Sequence, residues 1–142
     1  MFGKFKNKIK HVIVDTEPNN LEQITKDNSD DNTLFRMNAA KRIGHQRNEI
    51  MSCLRGNDLG DWIIYSDSDE IPNLPKFNLK NCKQKIVIFN QILTYYKFNL
   101  TLSGYQWFGS KACKLKDLVS INLLRNVKTK KYPWWRLDTL FK

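Results

Sequence analysis

Asp67, Asp69 and Glu70 fall together in DWIIYSDSDEIPN, residues 61–73, directly after a run apolar enough to form a buried strand. Carboxylates this close repel and raise one another's pKa unless a cation or a set of hydrogen bonds holds them ionised. The chain as a whole carries 24 Lys plus Arg against 14 Asp plus Glu, a formal charge of +10. The acids are therefore a local exception in a basic protein. Three chemistries use such a pattern. Asp residues after a strand can hydrogen-bond nearby backbone amides and serve only the loop. Two carboxylates a residue apart on a short turn can hold Mg²⁺ or Mn²⁺ against a nucleotide diphosphate, since these ions take oxygen ligands from one or two carboxylates plus phosphates. Finally, Asp67 can be the nucleophile and Asp69 the general acid of a phosphoryl transfer.

That last pattern, Asp-x-Asp-x-Thr/Val after a strand, is similar to haloacid-dehalogenase-like phosphatases. Ile71 stands where Thr or Val belongs, and the motif falls mid-chain, so this is a minor alternative.

The elements that position the acids follow from periodicity. KIKHVIVD, residues 8–15, reads as a buried strand of an α/β sheet, and residues 16–33 as a polar loop. From Leu34 to Leu54 the spacing of Phe35, Ala39, Ile43, Ile50 and Leu54 predicts an amphipathic helix, with Asp31 or Thr33 as its cap. DWIIYS is the next strand, and Pro72 and Pro75 stop any regular element after the acids. Residues 85–100 predict one long strand, or two with a bend near Asn90. Residues 103–109 read as a loop or short strand, and residues 115–126 as a helix. The last segment, YPWWRLDTLFK, holds Trp134 and Trp135, whose exposure would promote association. Strand, helix, strand, acidic loop, strand and helix predict an α/β fold with a mostly parallel sheet, in which ligands bind at the carboxyl ends of strands.

At 142 residues the chain suits one domain, residues 1–142. Cys53, Cys82 and Cys113 form no CxxC pair, which points to three reduced, structural thiols. No stretch approaches the roughly 20 apolar residues of a membrane span, and the basic opening lacks the apolar length of a signal peptide, so a cytoplasmic chain is expected. The basic excess fits a phosphate-bearing ligand or a polyanion. With its interleaved aromatic residues it also admits a nucleic-acid-binding module as the alternative, although no RNA-binding signature accompanies it.

Taken together, HQRNEIMSCL, GDWIIYSDSDEIPN, YYKFN, WFGS and LLR resemble glycosyltransferase family 17, the β-1,4-mannosyl-glycoprotein 4-β-N-acetylglucosaminyltransferase-like enzymes. The resemblance implies a GT-A-like, Rossmann-like fold, Mn²⁺ or Mg²⁺, and a nucleotide-sugar donor such as UDP-GlcNAc. It further implies inverting transfer of a sugar, N-acetylglucosamine being the candidate, to a glycan acceptor, with no nucleic-acid partner. It covers nearly all of this chain but only the middle of the family's domain, so a partial domain shortened at both ends is expected, with an inactive fragment as an alternative.

The same resemblance assigns roles. Asp69 is the candidate metal ligand, and Asp67 contacts the ribose or donor sugar, with the ion as a further partner. Glu70 either completes the metal set or supports it from behind. Arg47 pairs with a phosphate or with the acidic loop, and Asn48 fixes the loop by hydrogen bonds. Trp107 is a candidate sugar-stacking surface, with packing in the core as the alternative. A general base must take the acceptor proton; Asp138, the only acid of the last segment, is the sole guess the sequence offers.

Overall fold

The computed structural model describes residues 3–25 and 32–129, with the Phe98 side chain excepted. The chain divides into two compact units, Met1–Asp58 with Val119–Asn122, and Leu59–Leu118 with Leu123–Lys142. Each is built differently.

In the first unit the main element is α1, Asn32–Glu49, an 18-residue helix continued by a 3-10 turn over Ile50–Leu54. The predicted helix is present, but its expected apolar face is not the buried one. Phe35, Ile43 and Ile50 are exposed, whereas Asn38 and Gly44 are buried. The reason lies in what covers the helix. Asn38 Nδ2 donates to Glu22 O at 2.9 Å, and Glu22 N donates to Asn38 Oδ1 at 2.9 Å, so the side-chain amide pairs with an extended backbone. Lys41 Nζ donates to Glu22 Oε1 at 2.9 Å, Arg42 Nε donates to Glu17 Oε2 at 2.8 Å, and Thr16 Oγ1 shares a hydrogen bond with His45 Nε2 at 3.0 Å. Positions 38, 41, 42 and 45 are one helix face by the i, i+3, i+4, i+7 rule. As the helix numbers rise, the partner numbers fall from 22 to 16, so the segment runs antiparallel along that face. A polar seam holds it.

The strand predicted over residues 8–15 is therefore absent. Gly3–Lys8 is a 3-10 turn, no ladder forms at residues 9–15, and Ile13 is exposed. Alternating apolar residues favour an extended chain with one covered side; Val12 and Val14 are half-buried here while Ile13 between them is exposed, without a strand partner. Within this seam the Lys41 hydrogen bond, joined by its charge, holds the Glu22 carboxyl below its ordinary value of 4.5. A depressed carboxylate stabilises the fold above its unfolded pKa, and that contribution disappears as pH falls through the folded one. An NMR titration of Glu22 is expected to show this low midpoint, and Lys41→Met should return it to the ordinary value. An unchanged midpoint in that variant would refute the pairing.

The second unit holds β1 (Trp62–Tyr65), β2 (Ile86–Gln91), the short hairpin of β3 (Thr94–Tyr95) and β4 (Lys97–Thr101), and β5 (Trp107–Lys114). Its main sheet has the order β1-β5-β2. Trp62 pairs with Lys114 and Tyr65 with Lys111, while Val87 pairs with Ala112 and Gln91 with Trp107, all antiparallel. This overturns the predicted parallel, GT-A-like sheet. Parallel neighbours need a crossover of a dozen or more residues, usually a helix; between β1 and β2 stand only the 3-10 turns Leu74–Lys76 and Leu79–Asn81. β5 fills the place between them instead. Residues 85–100, predicted as one long strand or two with a bend near Asn90, instead make β2, β3 and most of β4, and the register shift between Ile88 and Asn90 lies inside β2.

Val87, Phe89 and Ala112 form the core, with Trp62, Ile64 and Cys82 packed against it. Cys113 is also buried, and burial followed by the charge of Asp117 pushes its thiol above 9.0. All three cysteines are free. Where a helix is predicted over 115–126, the chain makes a 3-10 turn at Leu115–Asp117 and then a helix, α2, at Ile121–Asn126. Its first two residues belong to the first unit and the rest to the second. Among the described residues, no helix is long and apolar enough to cross a membrane. Trp134, Trp135 and Asp138 lie outside the described residues.

Candidate functional site: the acidic loop after β1

β1 delivers the acids, and a turn closed by Glu70 N donating to Asp67 O at 3.0 Å folds them together. Their three side chains meet three different fates. Asp67 is half-buried and fully engaged: Tyr65 Oη donates to its Oδ1 at 2.7 Å, and Arg125 donates to its Oδ2 from Nε at 3.0 Å and from Nη2 at 2.7 Å. Glu70 is buried; its Oε1 accepts from Trp107 Nε1 at 3.0 Å and lies 3.6 Å from Arg125 Nη2. Its Oε2 accepts from Asp67 N at 3.3 Å. Asp69 is exposed at the rim and enters none of these bonds.

Arg125 therefore supplies the positive charge that the cluster requires. Burial pulls its guanidinium down, but the hydrogen bond and charge of Asp67, with Glu70 and Tyr65 adding, more than compensate, and its pKa stays raised. Arg125 is itself held in place from below. The ammonium of Lys111, a buried β5 residue, donates to Arg125 O and, at 2.7 Å, to Val127 O. These are carbonyls at the end of α2, where a cation satisfies groups that have no partner within the helix.

Close approach around Glu70 depends on Gly109. A Cβ there would stand 2.4 Å from Gln91 Oε1 and 2.5 Å from Glu70 Oε1. Gln91 Oε1 in turn accepts from Ser110 N at 2.9 Å, and Ser66 Oγ donates to Ser110 Oγ at 2.6 Å. β5 is thus the floor of the loop.

The predicted site residues fall in both units. Asp67, Asp69 and Glu70 belong to the second unit, while Arg47 and Asn48 lie on α1 in the first. Asn48 Oδ1 accepts from Asn122 N at 3.0 Å, so it seats the first turn of α2; Gly44, a turn earlier, faces the Asn122 side chain. Trp107 acts through its ring nitrogen on Glu70 and is only partly exposed.

As a fit for a divalent cation, the loop offers one open carboxylate, Asp69. Both oxygens of Asp67 and both of Glu70 already have partners. Among the described residues, no group of three His, Cys, Asp or Glu is arranged to hold a metal ion. One carboxylate together with donor phosphates remains an accepted way to hold Mg²⁺.

Sequence reasoning missed Arg125 as a partner of the acids, together with Tyr65, Gln91 and Lys111. The available signal was the electrostatic requirement itself: grouped carboxylates in a folded chain need a cation, and a side-chain guanidinium meets that need as well as a metal does. Compared with protein-family models, with curated proteins and with solved structures, the chain matches none.

Proposed function

We propose that this chain carries the donor-binding acidic loop of a metal-dependent glycosyltransferase. The reaction is inverting transfer of a sugar, N-acetylglucosamine being the candidate, from a nucleotide-sugar to a glycan acceptor. One observation carries the reading: Asp67, Glu70, Trp107, Gly109 and Arg125, all within the segments that resemble family 17, meet in one bonded cluster with Asp69 exposed beside it. The antiparallel sheet lends it no support, so the reading rests on the loop alone.

A bound Mn²⁺ or Mg²⁺ supplies neutralisation of the diphosphate leaving group. Asp69 is the carboxylate open to it. Asp67 and Glu70 take a different role from the one their spacing implies: paired with Arg125 and Trp107, they hold the loop in shape. A cation bridging residues 67 and 69 would first require Asp67 to release Arg125.

Calorimetry of UDP-GlcNAc binding, with and without Mn²⁺, tests the assignment. Binding should depend on the metal, and Asp69→Ala should abolish it while leaving thermal unfolding in the absence of ligand unchanged, because among the described residues Asp69 enters none of the bonds that shape the loop. Equal UDP-sugar affinity in wild type and variant would rule the role out.

A further inference from the structure

A second feature of the sheet unit is unrelated to the acidic loop. An open cleft of about 680 Å³ lies between the turn before β2 and the end of β5, lined by Lys80, Lys83, Lys85, Lys114 and Lys116. Among the described residues, Asp117 is the one carboxylate in its lining. None of the five lysines is ion-paired among the described residues, and Lys114 Nζ stands 5.9 Å from the centre of the Trp62 ring. Lys114 pairs with Trp62 at the start of β1, and Lys111 with Tyr65 at its end. The cleft and the acidic loop therefore sit at opposite ends of β1, about 10 Å apart at the usual rise per residue.

Like charges gathered on one concave surface focus a positive potential and concentrate anions there. The residue types narrow the ligand further. Lysines act as hydrated point charges without the planar fork that reads a single phosphate or carboxylate bidentately, so several ammoniums suit several phosphates in a row. Among the described residues no aromatic side chain lines the cleft, which removes the stacking platform that single-stranded nucleic-acid sites use. We propose that this cleft binds a linear oligophosphate chain, recognised through its charge repeat and not through attached bases.

The test is calorimetric titration with inorganic polyphosphate of defined length and, in parallel, with a thymidine oligonucleotide of equal phosphate count. Polyphosphate should bind more tightly than the oligonucleotide. With four phosphates contacted, the logarithm of affinity should fall against the logarithm of salt with a slope of about −3, taking the single-strand relation as a guide. Lys80→Glu/Lys83→Glu/Lys85→Glu should weaken polyphosphate binding about tenfold or more. The equally charged control Lys4→Glu/Lys6→Glu/Lys8→Glu, on the exposed first turn, should change it much less. If the triple variant unfolds, the milder Lys83→Gln/Lys85→Gln pair should still weaken binding measurably. Equal losses in the cleft variant and the control would reduce the effect to net charge and overturn the proposal. So would cleft-variant affinity matching wild type, while tighter binding of the oligonucleotide would reassign the cleft to nucleic acid.

Discussion

Arg125→Met is expected to lower the stability of the sheet unit by about 3 kcal/mol, the lower end of what removing one partner from a buried ion pair costs. The lower end applies because the Arg125 and Asp67 side chains retain 21% and 32% exposure, which lets water screen part of the loss. Glu70 sets the floor, since its side chain is only 4% exposed and would lose its nearest positive charge. Urea denaturation measures the change. A double-mutant cycle with Asp67→Asn isolates the pair, and the second substitution should cost much less in the Arg125→Met background than alone. Additive losses would mean that the guanidinium and the carboxylate do not depend on each other, contrary to the geometry.

Gly109→Ala is expected to destabilise by about 2 kcal/mol. Overpacking a filled site costs about 1–3 kcal/mol, and relief here comes only by moving Gln91 and Glu70. Those movements break the bonds from Ser110 N and Trp107 Nε1, at about 1 kcal/mol each. Gly109→Ala combined with Gln91→Ala should recover part of the loss, because one of the two crowding oxygens is gone. A neutral Gly109→Ala, with unchanged tryptophan fluorescence, would show that the site accommodates a methyl group and that the approach is not tight.

How much of this was legible beforehand differs by element. DWIIYS gave its strand away because four consecutive large apolar or aromatic residues follow turn chemistry and precede the acids. β5 was hidden for the opposite reason. Its centre reads Gly109-Ser-Lys-Ala-Cys113, small or charged residues that score poorly as a strand, yet it is the strand both others pair with. Strand preference reflects fit to neighbours, and neighbours from residues 62–65 and 86–91 are invisible to a local reading. The same limit underlies the predicted parallel sheet: the direction of β5 decides the topology, and local patterning marks no strand along most of its length. The acidic loop was located correctly, but its counter-charge lies 58 residues away in sequence, at Arg125. On α1 the apolar spacing was real, though the face that became buried was chosen by Asn38 meeting the Glu22 backbone.

One feature of the sheet unit is a closed circuit. Tyr65 is laddered to Lys111, Lys111 grips the carbonyl of Arg125, Arg125 grips Asp67, and Asp67 is held again by the Tyr65 hydroxyl. A ring of contacts over-determines the position of each member, since cutting one link leaves the route round the other side. The aspartate that opens the loop is thus set in orientation by the folded chain itself, and any guest arriving at its rim meets a preorganised surface with little ordering entropy left to lose.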